Sequence, residues 1–185
     1  RRIALAQIDL VRFRAINDVL GRRFGDRALI EVARRLREAT GADALLGRQG
    51  GDRFLVALPV VGTSSALALD VGRLIQSATG GIETSDGLVE VTARAAVAVL
   101  DTPLLGASPQ DDAALAQTVF EHGLGLVDLA MERAKKDPTP RVVIYDPAED
   151  QVRRERGALA LALPRALAIV DKVFAVHYQP QVQLL

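Results

Sequence analysis

The sequence predicts an α/β or α+β fold in which helices pack on one sheet. Apolar segments of strand length alternate with longer segments whose apolar residues recur at helical spacing. The pair Gly50 and Gly51, between two strand-like segments, indicates a hairpin. Nearly half of the residues are hydrophobic and a quarter are charged, which is typical of a globular domain with a well-buried core.

The predicted elements run in the order strand, helices, hairpin, helix, strand, helix, strand. The strands are residues 2–9, 45–48, 54–59, 89–100 and 142–145, and the helices are residues 12–20, 64–78 and 113–136 together with one that starts at Asp26. Asp26 is the predicted N-cap of that helix because Leu29, Val32 and Leu36 follow it at helical spacing. Gly123 and Gly125 are predicted to interrupt the last helix.

Composition and charge limit the classes of partner. The formal net charge is zero, so nothing favours a nucleic-acid surface or an anionic membrane surface. Cysteine is absent, which excludes disulfides and thiolate metal sites and fits a reducing compartment, so we expect a cytoplasmic location. The apolar residues 157–170 include Pro164 and Arg165 and are too short to span a bilayer. The sequence starts without Met or a signal peptide and is interpreted as part of a longer protein, whose other segments would hold any membrane anchor.

The C-terminal part changes character after Pro147. Residues 149–156 are densely charged and residues 157–170 are rich in Ala and Leu, which predicts a connecting helix that starts in solvent and ends packed on a partner. Pro164 should kink or end this helix, or else open a second one. Residues 173–178 are typical of a strand that opens a new domain. The predicted organisation is a domain over residues 1–147, a connecting helix over 148–171 and the start of another domain over 172–185.

Two local patterns carry chemistry. In the first, Asp9 ends the first strand and is followed by Phe13, Asn17 and then Gly25-Asp26. The second is the hairpin sequence RQGGDRF over residues 48–54. Each has a structural alternative when taken alone: Asp9 is also typical of a loop or cap, Asn17 of a turn and Asp26 of a helix cap. Likewise, Lys135 near a helix end can simply complement the helix dipole.

Together and in this order, the two patterns resemble the GGDEF family of diguanylate cyclases. The resemblance covers about residues 1–146 and continues through Asp128, Ala130 and Lys135. It implies a central mixed sheet, mostly antiparallel, with helices on both faces. The tail, from Leu163-Pro164-Arg165 to residues 177–181, is similar to the start of EAL domains, the cyclic di-GMP phosphodiesterase family; there Gln179 matches a glutamine that contacts cyclic di-GMP.

The resemblance also implies roles for individual residues. Diguanylate cyclases join two GTP molecules across a dimer and need a divalent cation, here Mg²⁺, to hold the phosphates. Asp9, the backbone carbonyl of Leu10 and Asp52 would bind this metal. Asn17 and Asp26 match the residues that recognise guanine. The remaining nucleotide-binding positions are Arg12, Phe13 and Lys135, the last of which matches a phosphate-binding lysine.

The sequence departs from the family pattern around the expected metal. Arg53 stands where the second acid of the signature belongs, and Val11 replaces another acid. Exchanging a negative for a positive charge beside a cation involves about 4 kcal/mol per charge pair at 4 Å and an effective dielectric constant near 20. That value is a ceiling, because a long arginine can swing outward. Asp52 and Arg53 are therefore interpreted as vestiges of a catalytic hairpin.

Other departures affect the phosphates and the product. Thr139 replaces an expected phosphate-binding arginine, and the sequence Arg94-Ala95-Ala96 replaces a pattern of small residues. The inhibitory Arg-x-x-Asp site expected just before the hairpin would fall on residues 41–44 and is absent from the sequence. These changes predict a domain that has lost its cyclase activity.

Three functions remain open at the level of the sequence. The first is a regulatory module that senses GTP or GDP and controls a downstream EAL domain of the same protein. The second is a scaffold or homodimerisation module that binds no ligand. The third is a residual diguanylate cyclase.

Overall fold

A computed structural model describes residues 2–84, 87–101, 109–136 and 142–167 of the chain. The chain divides into two compact units, Arg1–Tyr145 and Asp146–Leu185. In chain order the described elements are β1 (Arg2–Leu10), α1 (Phe13–Leu20), α2 (Arg22–Ala39), β2 (Leu45–Gly50), β3 (Arg53–Pro59), α3 (Ser64–Ala78), β4 (Gly80–Thr84), β5 (Gly87–Val91), β6 (Ala93–Asp101), α4 (Pro109–Lys136), β7 (Val142–Ile144) and α5 (Pro147–Leu167).

The main sheet of the first unit has five strands in the order β2-β3-β1-β6-β7. Its pairs are antiparallel except for the parallel pair of β6 with β7. Strands β4 and β5 form a separate antiparallel ribbon. The predicted fold class, an α/β arrangement around a mostly antiparallel sheet, is confirmed.

Helices cover both faces of the sheet, and the alternation along β1 shows which residues point to which face. Ala4, Ala6, Ile8 and Leu10 lie in the larger core with buried residues of α1, α2 and α3. Leu5 lies in a second core with Val127, Ala130, Met131 and Ala134 of α4. Because side chains alternate, Gln7 and Asp9 share the α4 face with Leu5. This arrangement puts the polar end of β1 beside the C-terminal end of α4.

Three details of the predicted secondary structure were wrong. Helix α2 starts at Arg22 with Gly21 as its N-cap, so Asp26 lies inside the helix and does not cap it. The predicted strand 89–100 is divided at Thr92, because β5 leaves the main sheet to pair with β4. Gly123 and Gly125 do not interrupt α4, which is continuous from Pro109 to Lys136.

Gly123 has a packing role that explains its place in α4. A β-carbon at this position would come within 2.5 Å of Leu100 Cδ1 and 3.3 Å of Leu5 Cδ2. Glycine therefore lets the helix approach the sheet closely. A β-carbon at Gly125 would meet nothing within 4 Å.

In the second unit, α5 continues through Pro164 to Leu167. The Asp150 carboxylate accepts hydrogen bonds from Arg153 and Arg154, which lie three and four residues further along the helix. These hydrogen bonds hold the pKa of Asp150 below its ordinary value, and the one from Arg153 has the larger effect. Within the described part of the chain, no helix combines the length and the apolar character that crossing a membrane requires. The predicted strand 173–178 lies outside the described residues.

Candidate active site at the end of the central strand

Asp9 is the polar end of the central strand and is only 8% exposed. On one side it stands in register with Arg53 of β3, and on the other with Arg94 of β6. The Arg94 Nε atom lies 3.8 Å from the Asp9 Oδ2 atom. Asp9 is therefore flanked by an arginine on each neighbouring strand.

The hairpin between β2 and β3 holds Asp52 next to β1. Gly50 and Gly51 adopt positive φ angles of 126° and 56°, which explains the glycine pair at the turn. The Arg48 guanidinium closes the turn by donating hydrogen bonds to the Gly51 carbonyl at 3.1 and 2.6 Å. The Leu10 N–H donates to the backbone carbonyl of Asp52 at 3.2 Å. The structure thus brings together Asp9, Leu10 and Asp52, the three expected metal-binding residues.

The charges around Asp9 act in opposite directions on its carboxyl group. Burial raises the pKa of Asp9 above its ordinary value, and the charge of Asp52 raises it further. Lys135, Arg94 and Arg53 lower the pKa without outweighing these two causes. Lys135 is exposed near the end of α4, so its charge reaches Asp9 from the helix side.

These residues do not fit a Mg²⁺ ion well. Divalent cations in proteins are held by a surplus of anionic oxygen ligands, whereas here Arg94 pairs with Asp9 and the charges of Lys135 and Arg53 also act on the Asp9 carboxyl group. An ion bound to Asp9 Oδ2 at about 2.1 Å would lie within about 6 Å of Arg94 Nε, which gives a repulsion of at least ~5.5 kcal/mol at an effective dielectric constant near 20. Across the described ranges, no group of three or more His, Cys, Asp or Glu side chains is arranged to hold a metal.

The expected guanine-binding residues lie on the other face of the sheet, where α1 packs on α2. The Asn17 Oδ1 atom is buried without a hydrogen-bond partner among the described residues. Asn17 lies directly against Gly25, where a β-carbon would be 1.8 Å from Asn17 Oδ1. Asp26 follows Gly25 on α2 and is exposed. An unsatisfied amide oxygen and a free carboxylate therefore lie close together in this part of the domain.

Asp26 also lines a groove of about 440 Å³ between α2 and the hairpin. Its apolar lining comes from Leu29, Ile30, Ala33, Leu46 and Phe54, and its cationic lining from Arg37 and Arg48. Asn17 does not line this groove. Carboxylate, guanidinium and apolar surface together suit a flat polar ring system.

The remaining expected residues have different environments. Arg12 is exposed and adopts a left-handed backbone conformation with φ of 56° at the N-cap of α1. Phe13 is buried in the larger core, so its position supports α1 and leaves little surface for a ligand. Thr139 and Gln179 lie outside the described residues.

Two residues of this region were missed as functional candidates. Gln7 is fully buried, and its Nε2 atom donates to Gln49 Oε1 at 2.8 Å and to Asp128 Oδ1 at 3.2 Å. It thereby links the hairpin, β1 and α4. Its position two residues before Asp9 in an apolar strand was a usable signal, because residues two apart share a face. Arg94 was noted only as a departure from the family pattern, since its position opposite Asp9 depends on strand register.

The sheet order, the acid at the end of its central strand and the adjoining Gly-Gly-Asp hairpin are those of a nucleotide-cyclase-type domain. The family model described as the diguanylate cyclase GGDEF domain matches residues 1–139. This chain belongs to the GGDEF family.

The curated relatives of the chain include signalling proteins and a cyclic di-GMP phosphodiesterase. It is 32% identical over 179 residues to an uncharacterised signalling protein of Caulobacter vibrioides, covering 96% of this chain and 20% of that protein. It is 28% identical over 180 residues to the cyclic di-GMP phosphodiesterase PdeB of Shewanella oneidensis, covering 97% of this chain and 20% of PdeB. The chain thus spans about a fifth of the length of these relatives.

A solved structure supports the family assignment. The GGDEF domain of YfiN, also called TpbB, from Pseudomonas aeruginosa matches with a TM-score of 0.61 and 28% identity. The match covers 78% of this chain and 83% of that domain.

Proposed function

We propose that this GGDEF domain has no cyclase activity and acts as a guanine-nucleotide-sensing regulatory domain of a larger cyclic di-GMP signalling protein. The observation that carries the proposal is the contrast between two parts of the site: the phosphate half around Asp9 and the base half around Asn17 and Asp26. Asp9 is flanked by Arg53 and Arg94, whereas near the N-terminal half of α2 the Asp26 carboxylate is exposed and the buried Asn17 Oδ1 atom has no hydrogen-bond partner among the described residues.

The phosphate half argues against catalysis. Joining two GTP molecules requires a metal and cations that stabilise charge developing on the α-phosphate. Arg94 beside Asp9 disfavours the metal, and Arg53 replaces an acid of the signature. No step of a cyclase reaction can be assigned to the groups that remain.

The base half supports recognition of guanine. A carboxylate accepts hydrogen bonds from the N1–H and amino groups of guanine, whereas adenine presents an acceptor at N1. The exposed Asp26 carboxylate can fill this role, and the Asn17 amide offers both a donor and an acceptor. The family pattern assigns the same two positions to guanine.

The partner of this domain is proposed to be an EAL domain that follows it in the same protein. The tail resembles the start of EAL domains, and PdeB, a phosphodiesterase, matches nearly the whole chain. In the sequence, helix α5 comes after the GGDEF domain and before that tail, so it is the proposed route by which nucleotide binding controls the EAL domain.

Calorimetric titration of the chain with GTP, GDP and ATP, each with and without Mg²⁺, tests the proposal. We expect GTP and GDP to bind, to lose less than about threefold in affinity without Mg²⁺, and to bind at least about tenfold more tightly than ATP. Asp26→Ala and Asn17→Ala should remove the preference for guanine, while Asp43→Ala, an exposed acid outside the groove, should not. Absence of binding would favour a scaffold, and strict Mg²⁺ dependence without effect of Asn17 or Asp26 would contradict the assignment.

A further inference from the structure

Arg94 has contacts on two sides that fix its guanidinium beside Asp9. Its Nη1 atom donates a hydrogen bond to the Ala134 carbonyl at 3.3 Å. Ala134 lies in the last turn of α4, where carbonyl groups have no partner within the helix. On the other side, the Nε atom of Arg94 lies 3.8 Å from Asp9 Oδ2. The arginine therefore bridges the end of α4 and the end of the central strand.

The position of Arg94 follows from the sheet itself. Antiparallel register places residue 94 directly opposite Asp9, on the face that α4 covers. The Arg94 side chain is 21% exposed and that of Asp9 is 11% exposed, so both charges are largely withdrawn from solvent. The neighbours of Arg94 in β6 are alanines and valines, which makes it the one charged side chain between Ala93 and Leu100.

The charge of the Arg94 guanidinium also disfavours binding of a cation beside Asp9. Arginine keeps its charge at all ordinary pH values and cannot release a proton to admit a cation. The Nε atom of Arg94 is buried without a hydrogen-bond partner among the described residues, and the nearby Asp9 Oδ2 atom lies 3.8 Å from it. Arg53, on the opposite strand, and Lys135, at the end of α4, also act on Asp9, but both are exposed and can move away, whereas Arg94 is anchored to α4.

We infer that the Arg94 guanidinium is the resident counter-ion of Asp9 and takes the place of the divalent cation at this end of the sheet. Arg94, more than Arg53, is then the residue that keeps the site free of metal. The inference deepens the proposed function by assigning metal-independent nucleotide binding to one residue. Its test uses no nucleotide, so it can fail while guanine recognition stands.

The test is a titration of the full chain with Mn²⁺ alone. Electron paramagnetic resonance measures the concentration of free Mn²⁺ at each step. We expect no saturable binding by the wild type up to millimolar Mn²⁺. Arg94→Ser should bind at least about tenfold more tightly than the wild type, because the anchored positive charge has been removed. Adding Asp9→Asn to Arg94→Ser should abolish the gain.

Matched variants separate this effect from a general change of charge. Arg73→Ser removes the same charge from an exposed pair with Asp70 and should bind no Mn²⁺. Arg53→Ser should increase the affinity for Mn²⁺ less than Arg94→Ser does. Arg94→Lys should leave the affinity unchanged because it keeps the charge. An Arg94→Ser protein that binds no better than the wild type, or one that binds no better than Arg53→Ser, would overturn the inference.

Arg94→Ser also loses the hydrogen bond to Ala134, so its folding must be checked by circular dichroism. If that variant does not fold, Arg94→Gln, the wild type and Asp9→Asn decide the question together. Saturable Mn²⁺ binding by Arg94→Gln, whose amide can still donate to the Ala134 carbonyl, together with negligible binding by the wild type and Asp9→Asn, supports the inference. Saturable binding by the wild type that Asp9→Asn removes contradicts it.

Discussion

Asn17 and Gly25 lie so close together that only a residue without a side chain fits at position 25. A β-carbon there would be 1.8 Å from Asn17 Oδ1, 2.9 Å from its Cγ and 3.1 Å from Phe13 Cζ. Gly25 therefore determines where the Asn17 amide can lie. The contact joins α1 to α2 next to Asp26. Close packing of these two helices therefore explains why residue 25 is a glycine.

Gly25→Ala should displace the Asn17 amide and weaken binding of guanine nucleotides. The expected loss is about tenfold in the dissociation constant of GTP, the scale of one lost hydrogen bond. Gly125→Ala is the matched control, because a β-carbon there meets nothing. Calorimetry on both variants, with circular dichroism to confirm the fold, gives the answer. Unchanged GTP affinity in Gly25→Ala would remove Asn17 from the binding site.

Two glycines of α4 should respond in opposite directions to the same substitution. Gly123→Ala should lower the free energy of unfolding by about 1–2 kcal/mol, because the overlap of its methyl group with Leu100 in a packed core outweighs the gain in helix propensity. Gly125→Ala should raise it by up to about 1 kcal/mol, the difference in helix propensity. Urea unfolding of both variants measures the contrast. Equal effects would mean that α4 does not pack on the sheet as described.

Acid should weaken the interactions of Glu31. Hydrogen bonds from Arg34 and then Arg35 lower the pKa of Glu31 to about 2, from 4.5. A lowered pKa in the folded state means that the carboxylate stabilises the fold above pH 4.5, and that this contribution is lost as the pH falls toward 2. Glu31→Gln should therefore lower the free energy of unfolding by about 0.5–1 kcal/mol at pH 7.

The difference between Glu31→Gln and the wild type should shrink as the pH is lowered below 4.5. Arg35 also donates to the carbonyls of Thr79 and Gly81, so this pair supports the contact of α2 with β4. Glu38→Gln, which removes only an exposed pair with Arg34, is the control and should have a smaller effect. A difference that stays constant from pH 7 to pH 3 would exclude the ion pairs as its cause.

The chain should form no cyclic di-GMP from GTP with Mg²⁺ or Mn²⁺, even at high protein concentration. The physical reason is that arginines flank Asp9 on both neighbouring strands and that one of them, Arg53, replaces the signature acid. Arg53→Glu restores the signature acid but should not restore activity, because Arg94 remains. Chromatography of the reaction mixture detects the product. Turnover that Asp52→Ala abolishes would show that the domain is an active cyclase.

In the intact protein, Pro164→Ala should change how the GGDEF domain influences the downstream domain. Proline has no N–H, so the Ala160 carbonyl lacks its partner within α5, and alanine should stiffen the helix there. Phosphodiesterase activity of the intact protein, with and without GTP, is the measurement. Gly157→Ala raises helix propensity without adding this hydrogen bond and is the control. Identical activity in wild type and Pro164→Ala would exclude a hinge at this position.

The motifs on β1 and on the hairpin could be predicted because each is local in sequence and needs particular residue types. Arg94 could not be assigned a role, because its distance from Asp9 depends on the register of β1 with β6. Gly123 was misread because helix propensity is a local quantity, while its close approach to Leu100 is a tertiary one. Asp26 was given a capping role since nothing in the local pattern reveals that α2 starts one turn earlier.

Strand β1 is the earliest strand of its sheet in the chain, yet it lies in the middle of that sheet. Residues 4–10 are buried on both faces and pair with β3 on one edge and β6 on the other. During synthesis on the ribosome, this apolar strand is made before β3 and β6. The edge that pairs with β6 stays unpaired until the chain has been made as far as Asp101. Variants that slow the arrival of β6 should therefore increase aggregation during synthesis while leaving the stability of the finished domain unchanged.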